Sequence, residues 1–290
     1  MFFNNLTINR PRMSNDAPPK SSRNIPEQIK REVRQRCGFG CVICGSIVYD
    51  YDHMLNDWVE VKEHVASDIT LLCPSHHREK TNGLLTREAV KQANDNPHNK
   101  VSGESSPYQL HYSGDIAIAV IANNSFTNDS CIVGHQGQHL PFVVPILIDG
   151  VPIIGFKFQD ERLLLDISFF NEYNEQILRI IENQLIFKPD TWDVDLRGAN
   201  LKIREGKRKI VLHIEFCPPN KLIIHQALIR FSGIILELKE DHFVLNGVRS
   251  RTMFNNVFSS LVGISIGVTG QFPQGCIHKQ KVDRYKIVNI

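Results

Sequence analysis

Short β-branched runs recur along the chain beyond residue 107, each a few residues long and alternating in character. They include "DIAIAVIA" (115–122), "PFVVPILIDG" (141–150), "LLLDISFF" (163–170) and "QILRIIENQLIF" (176–187). "ANLKIREGKRKIVLHIEF" (199–216), "KLIIHQALIRF" (221–231), "IILELKEDHFVL" (234–245) and "VGISIGVTG" (262–270) continue the series. Turn formers separate them: NEYNE, REGKR, PPN and KEDH. Even spacing of short strands with polar turns predicts an antiparallel β domain, sandwich-like in architecture. A β-solenoid is the alternative, but the runs show no strict repeat period.

The first hundred residues follow another pattern. Residues 1–23 are rich in Asn, Pro, Ser and Arg without apolar periodicity, which predicts a disordered tail. Met13 opens MSNDAPPKSS and reads as an alternative start. "PEQIKREVRQRCG" (26–38) predicts a helix, with Pro26 and Glu27 suited to its start and Gly38 to its stop. Ile29 and Val33 supply one apolar stripe, and Lys30, Arg31, Arg34 and Arg36 make the rest basic. "FGCVICGSIVYDYDHM" reads as a tight knuckle followed by a strand. A short helix follows Cys73 to near Gly83, and Thr86 caps another through "REAVKQAND". Residues 94–107 are polar and rich in breakers, so 98–107 is the expected linker. The predicted class is therefore α+β: a tail (1–23), a small module (24–97), a linker (98–107) and a β-rich domain (108–290).

Composition narrows the class. The chain has 290 residues, 42% hydrophobic and 22% charged, with a formal net charge of +2. No segment is a broad polycation, so any contact with nucleic acid must rest on local placement of charge. No stretch approaches the length of a membrane-spanning helix, and the N-terminal apolar run is too short for a signal peptide. A cytoplasmic setting is expected, and there thiols stay reduced. Four of the seven cysteines cluster (Cys37, Cys41, Cys44, Cys73), while Cys131, Cys217 and Cys276 are scattered and read as small buried residues.

Cys41-x2-Cys44 on a Gly-flanked turn is one half of a zinc site, and Cys73-x2-His76 repeats the spacing 29 residues later. Two matched halves predict structural Zn²⁺ held by Cys41, Cys44, Cys73 and His76. Cys37 is a rival ligand but lies at a helix end, where packing is the expected role. Asp52 and His53 sit together between the halves, and His77 directly follows His76.

Cys41-x2-Cys44-Gly45, then Asp52-His53, then "SDITLLCPSHHREK" resemble the HNH endonuclease family, the zinc-bearing branch of the ββα-metal nucleases. The resemblance covers about residues 26–97. It implies His53 as general base, and a catalytic divalent ion, Mg²⁺, Mn²⁺ or Ni²⁺, held by Asp52 and His77. The middle Asn of the family is Asp68 here, and the implied role is to tie down the loop that carries the histidine. Arg34, Arg78 and Lys80 are candidate phosphate contacts, weighed against solvated faces. His64 lies in the same loop and reads as local packing rather than an orienting residue. Neighbouring helical residues point about 100° apart, so His76 and His77 are expected to serve different metals.

The implied activity is hydrolysis of DNA phosphodiester bonds, in a setting such as bacterial restriction or phage defence. DNA is the expected partner. A second copy of the chain or a regulatory protein acting through the β domain is also admitted. The alternative is a zinc fold that binds nucleic acid without cutting it. In the β-rich half, Trp192 reads as packing, "REGKRK" (204–209) as a hairpin or a phosphate contact, and His213 and His225 as structural.

Overall fold

The structure is a computed structural model that describes residues 24–55, 64–114, 116–128, 142–187, 192–250 and 255–287. It is a mixed α+β chain with few helices and many strands. The tail, Met13 and Cys131 lie outside the described residues. Among the described residues no helix is long and apolar enough to cross a membrane.

Helix Glu27–Cys37 begins after Pro26 and ends at Gly38, whose φ of 69° places it in the left-handed region. Strands Asp50–His53 and Ile69–Leu72 then pair antiparallel, with His53 opposite Ile69. Helix Pro74–Thr81 starts with proline at its first turn, and the Cys73 sulfur accepts from the His76 amide. Thr86 caps helix Arg87–Asp95 through a 3.1 Å bond from the Ala89 amide. Val33, Val42, Met54, Ile69, Leu71, Leu72 and Val90 form a small core of their own with Cys37, Cys41 and Cys73.

The stretch expected as a linker is ordered. It carries helix His98–Ser102, whose Asn99 is fully buried and donates to the Gly38 carbonyl at 2.9 Å. Gly45 has a φ of 75°, and a Cβ there would collide with the Asn99 side chain. The polar residues of this stretch therefore bond to the knuckle, and it is Gly45 of the knuckle that permits the close approach.

Beyond residue 107 the strands form two sheets. In the eight-stranded sheet, successive hairpins run from Phe142–Ile148 to Gln184–Phe187, and Val262–Ile266 and Ile277–Lys279 are added beyond the first strand. In the ten-stranded sheet, hairpins run from Asp193–Arg197 to Val248–Arg249. Pairing is antiparallel along both runs. The mostly antiparallel pairing expected of this region has parallel joins: Val262–Ile266 lies parallel to both its neighbours, Ile118–Ile121 lies parallel to Lys221–Phe231, and Val257–Ser259 lies parallel to Asn124–Thr127. These strands arrive by long connections rather than tight turns, so direction is not set by a hairpin.

Inward residues of both sheets merge into one core, with Phe126, Ile146, Ile154, Leu163, Leu212 and Leu236 among those with essentially no exposure. Tight turns with two successive positive φ values join many of the strands, as at Asp149–Gly150, Glu182–Asn183 and Asn246–Gly247. Such primed turns match the twist of paired strands. "QILRIIENQLIF" is accordingly a hairpin, and not one run, because Glu182 and Asn183 bend the chain in its middle. The scattered cysteines are less buried than expected. Cys217 ends a strand half-buried, and Cys276 is exposed in the loop before the last strand.

Candidate metal centre and adjoining catalytic candidates

The knuckle that carries Cys41 and Cys44 is closed by its own backbone. The Cys41 amide donates to the Ser46 carbonyl and the Gly45 amide to the Cys41 carbonyl, both at 2.8 Å. Bonds from Val42 to the Leu71 carbonyl and from His98 to the Val42 carbonyl anchor it on either side. Cys73 and His76 approach from the start of helix Pro74–Thr81.

The ligand atoms of Cys41, Cys44, Cys73 and His76 all lie within 4.8 Å of one another. Cys44 and Cys73 sulfurs are 3.8 Å apart, and His76 Nδ1 stands 3.4 Å from Cys41 and 3.2 Å from Cys73. Tetrahedral zinc with Zn–S bonds of about 2.3 Å requires S···S edges of about 3.8 Å, so the four donors fit such an ion. The chain therefore has a Cys₃His cluster that could hold a metal such as zinc. A hydrogen bond from the Cys44 thiol favours the Cys41 thiolate and lowers its pKa to about 4, while the same bond and burial push Cys44 up. Two neighbouring sulfurs cannot both be thiolates cheaply without a cation between them. Cys37 stands apart, fully buried beside Thr70 and Asn94, and burial pushes its thiol up.

The second half of the histidine doublet faces another way. His77 Nε2 lies 3.3 Å from Oδ1 of Asp52, the next-to-last residue of strand Asp50–His53. Asp52 is largely buried, whereas the His77 side chain is 42% exposed, so the pair opens to solvent on the histidine side. Asp52 Oδ2 accepts from Lys80 Nζ at 2.5 Å, and the same ammonium donates to the His53 carbonyl. Lys80 is thus turned inward with its side chain 10% exposed, which corrects the expectation of a phosphate contact. It lies one turn beyond His77, so the helix that presents the histidine also delivers the lysine to the same carboxylate.

His53 stacks on His64, ring centroids 5.6 Å apart and 25° from parallel. Burial lowers the His53 pKa, with the neighbouring His64 and Lys80 adding to the effect and Asp68 and Asp52 opposing it. A neutral ring near pH 7 is the form that accepts a proton. The loop after His53 is held on two sides. Asp68 Oδ1 accepts the Leu55 amide at 3.0 Å, and Arg87 donates to the Leu55 carbonyl. The Met54 amide also bonds to the Asp68 carbonyl at 2.8 Å.

Arg34 is the clearest correction. It is fully buried, with Nε 2.7 Å and Nη2 2.9 Å from the two oxygens of Asp193, Nη1 2.7 Å from Tyr51 Oη and Nη2 2.9 Å from Glu27. Burial alone would lower its pKa, but the Asp193 hydrogen bond and surrounding negative groups outweigh it and raise the value. A guanidinium so enclosed cannot meet a phosphate. It fastens the first helix to strand Asp193–Arg197. Arg78, by contrast, is exposed on helix Pro74–Thr81.

Trp192 also belongs to this seam: Arg31 stacks on its ring at 4.5 Å, and Gln35 bonds its carbonyl at 2.5 Å. In "REGKRK", Arg204 turns inward to Asp193 at 2.9 Å, whereas Lys207 and Arg208 are exposed at the turn. His213 and His225 do have partners, Asn200 and Glu215, both at 2.8 Å, and their rings lie 4.7 Å apart. A shift in pairing between His213 and Ile214 brings them to the same face.

Sequence reasoning did not single out Asn94, Asn99 or Asp193. Buried Asn94 collects Thr70, Cys37 and Arg36 around one side-chain oxygen. Each has its partners on other elements, which spacing along the chain does not reveal. The chain matches no protein-family model, no curated protein and no solved structure.

Proposed function

We propose that the protein is a metal-dependent DNA endonuclease whose N-terminal module works in the manner of the HNH nucleases. The observation that carries this reading is the 3.3 Å approach of His77 Nε2 to Asp52 Oδ1 beside His53. Two ligands at right angles around an ion with bonds of about 2.1 Å stand about 3 Å apart, so the two atoms suit a hexacoordinate cation such as Mg²⁺ or Mn²⁺. Zinc folding needs neither of them.

In this reading His53 takes the proton of the attacking water, since its ring is held neutral by burial. The divalent ion, when bound by Asp52 and His77, supplies positive charge where the scissile phosphate and the leaving oxygen develop negative charge. Lys80 holds the other oxygen of Asp52 and the backbone of His53, which fixes both against the helix. Asp68 pins the loop that follows His53. Arg78, exposed on the same helix, would meet a neighbouring phosphate. The β region would choose the target, assemble copies of the chain or carry a regulatory partner.

The Lys80–Asp52 ion pair favours a second reading, a zinc fold that binds nucleic acid without cutting it, because it already satisfies half of the carboxylate. Supercoiled plasmid with Mg²⁺, Mn²⁺ or Ni²⁺ decides between them. Wild type is expected to nick or linearise it, and His53→Ala to be at least about 100-fold slower with its zinc content unchanged. Absence of cleavage by wild type with all three ions would sink the endonuclease reading.

A further inference from the structure

The two sheets end side by side at a cavity of about 470 Å³. Strands Phe243–Leu245 and Val248–Arg249 close one wall, at the end of the ten-stranded sheet. Strands Val262–Ile266 and Ile277–Lys279 close the other, at the end of the eight-stranded sheet. Among the described residues Val248–Arg249 and Ile277–Lys279 are outermost strands. An outermost strand turns one row of backbone N–H and C=O groups away from its ladder. The volume falls within the range of small-molecule sites, roughly 300–1,000 Å³.

The lining has two distinct chemistries. Phe243, Leu245, Ile264, Ile266 and Ile277 supply an apolar floor. Arg249, Lys279 and Lys281 supply cations at the exposed rim, against the single carboxylate of Asp283. Arg249 is only loosely engaged, 3.5 Å from Asp241 with both side chains more than half exposed. Set into the floor is a polar pair. Ser265 is fully buried, accepts the Gly275 amide at 2.8 Å and lies 2.7 Å from His278 Nδ1. That contact fixes the imidazole in the cavity wall. None of these residues belongs to the zinc cluster or to the Asp52–His77 pair.

A ligand that satisfies both surfaces joins an apolar body to negative charge. A simple anion would leave the floor bare, and a neutral heterocycle would leave the rim unpaired. We propose that this cavity binds a nucleoside phosphate, its base against the apolar floor and its phosphates against Arg249, Lys279 and Lys281. Ammonium and guanidinium groups make charge-assisted bonds to phosphate oxygens, and His278 with the strand edges offers hydrogen-bond groups to the base.

Calorimetric titration of the full chain with ATP, GTP, CTP and UTP, without divalent ions, tests this. The controls are the matching nucleosides, inorganic phosphate and a short single-stranded DNA. Saturable binding of at least one nucleotide is expected, with its nucleoside and phosphate each at least tenfold weaker. The doubly substituted Lys279→Glu, Lys281→Glu chain is expected to bind that nucleotide at least tenfold more weakly while melting at the wild-type temperature. His77→Ala is expected to bind it as wild type does. The proposal is overturned if no nucleotide saturates, if only the DNA binds, or if the nucleoside binds as well as its phosphate. It is equally overturned if binding survives the double substitution or is lost in His77→Ala. None of these readouts requires cleavage, so they stand apart from the endonuclease reading.

Discussion

The module of residues 24–97 and the β region are held together by different means. The module's buried core is small and includes three cysteines, two of them in the Cys₃His cluster. The β region draws Ile, Leu, Val and Phe from two whole sheets into one core. An apolar core of the first size rarely sustains a fold alone, whereas the second buries far more area. A metal held by the Cys₃His cluster would do in one region the work that sheet packing does in the other. Between them lies a polar seam, Arg34 on Asp193, with apolar contacts beside it: Phe39 joins the β core and half-buried Ile47 packs against it.

Removing the metal ligands should break this comparison most visibly. His76→Ala or Cys41→Ser removes a donor from the cluster, and structural zinc contributes on the order of 10 kcal/mol in small zinc folds. We expect zinc content to fall and the module's protease resistance to vanish. Amide exchange in strands such as Lys209–Cys217 should stay protected. Loss of protection in both regions together would show that the β core depends on the module, and would end the distinction.

The seam tests how far the two regions are coupled. Asp193→Ala leaves Arg34 fully buried with Glu27, Tyr51 and, at 3.8 Å, Asp195 as its remaining partners. Breaking a buried ion pair by removing one member costs about 3–5 kcal/mol. Chemical denaturation should show that loss, and the paired Arg34→Met, Asp193→Ala substitution should recover a large part of it. Arg34→Met alone should cost less, because Asp193 keeps Arg204. An additive double substitution would mean that the pair contributes no coupling.

The two regions also differed in how openly the chain displays them. The Cys₃His cluster was legible because each half of it is local: two donors separated by two residues, on a knuckle or at a helix start. The division of His76 and His77 follows from helix geometry alone. Strand content was legible too, through alternation, and turns such as Asp149–Gly150 carry their own signal. Arg34 was not, because a basic helix face looks solvated until its acid, 159 residues away, is known. Lys80 was misplaced for a related reason: three residues beyond His77 it lies on the same helix face, and that face points at Asp52 rather than outward. The parallel joins were hidden because long connections leave strand direction open.

The smallest expected effect concerns Asp68, where the chain departs from the HNH pattern. Its Oδ1 accepts the Leu55 amide, two residues beyond His53, and an asparagine keeps an oxygen in that place. Asp68→Asn should therefore alter stability by less than about 0.5 kcal/mol, because the half-buried side chain keeps its bond. Asp68→Ala removes the acceptor and should cost about 1 kcal/mol; under the endonuclease reading plasmid cleavage should slow more than stability falls, since the freed loop adjoins His53. If Asn and Ala both cleave at the wild-type rate, the loop is held without Asp68, and Arg87 becomes its principal anchor. If Asn is as slow as Ala while the fold is unharmed, the negative charge itself matters, and Asp68 acts on the metal or on His53 rather than on the loop.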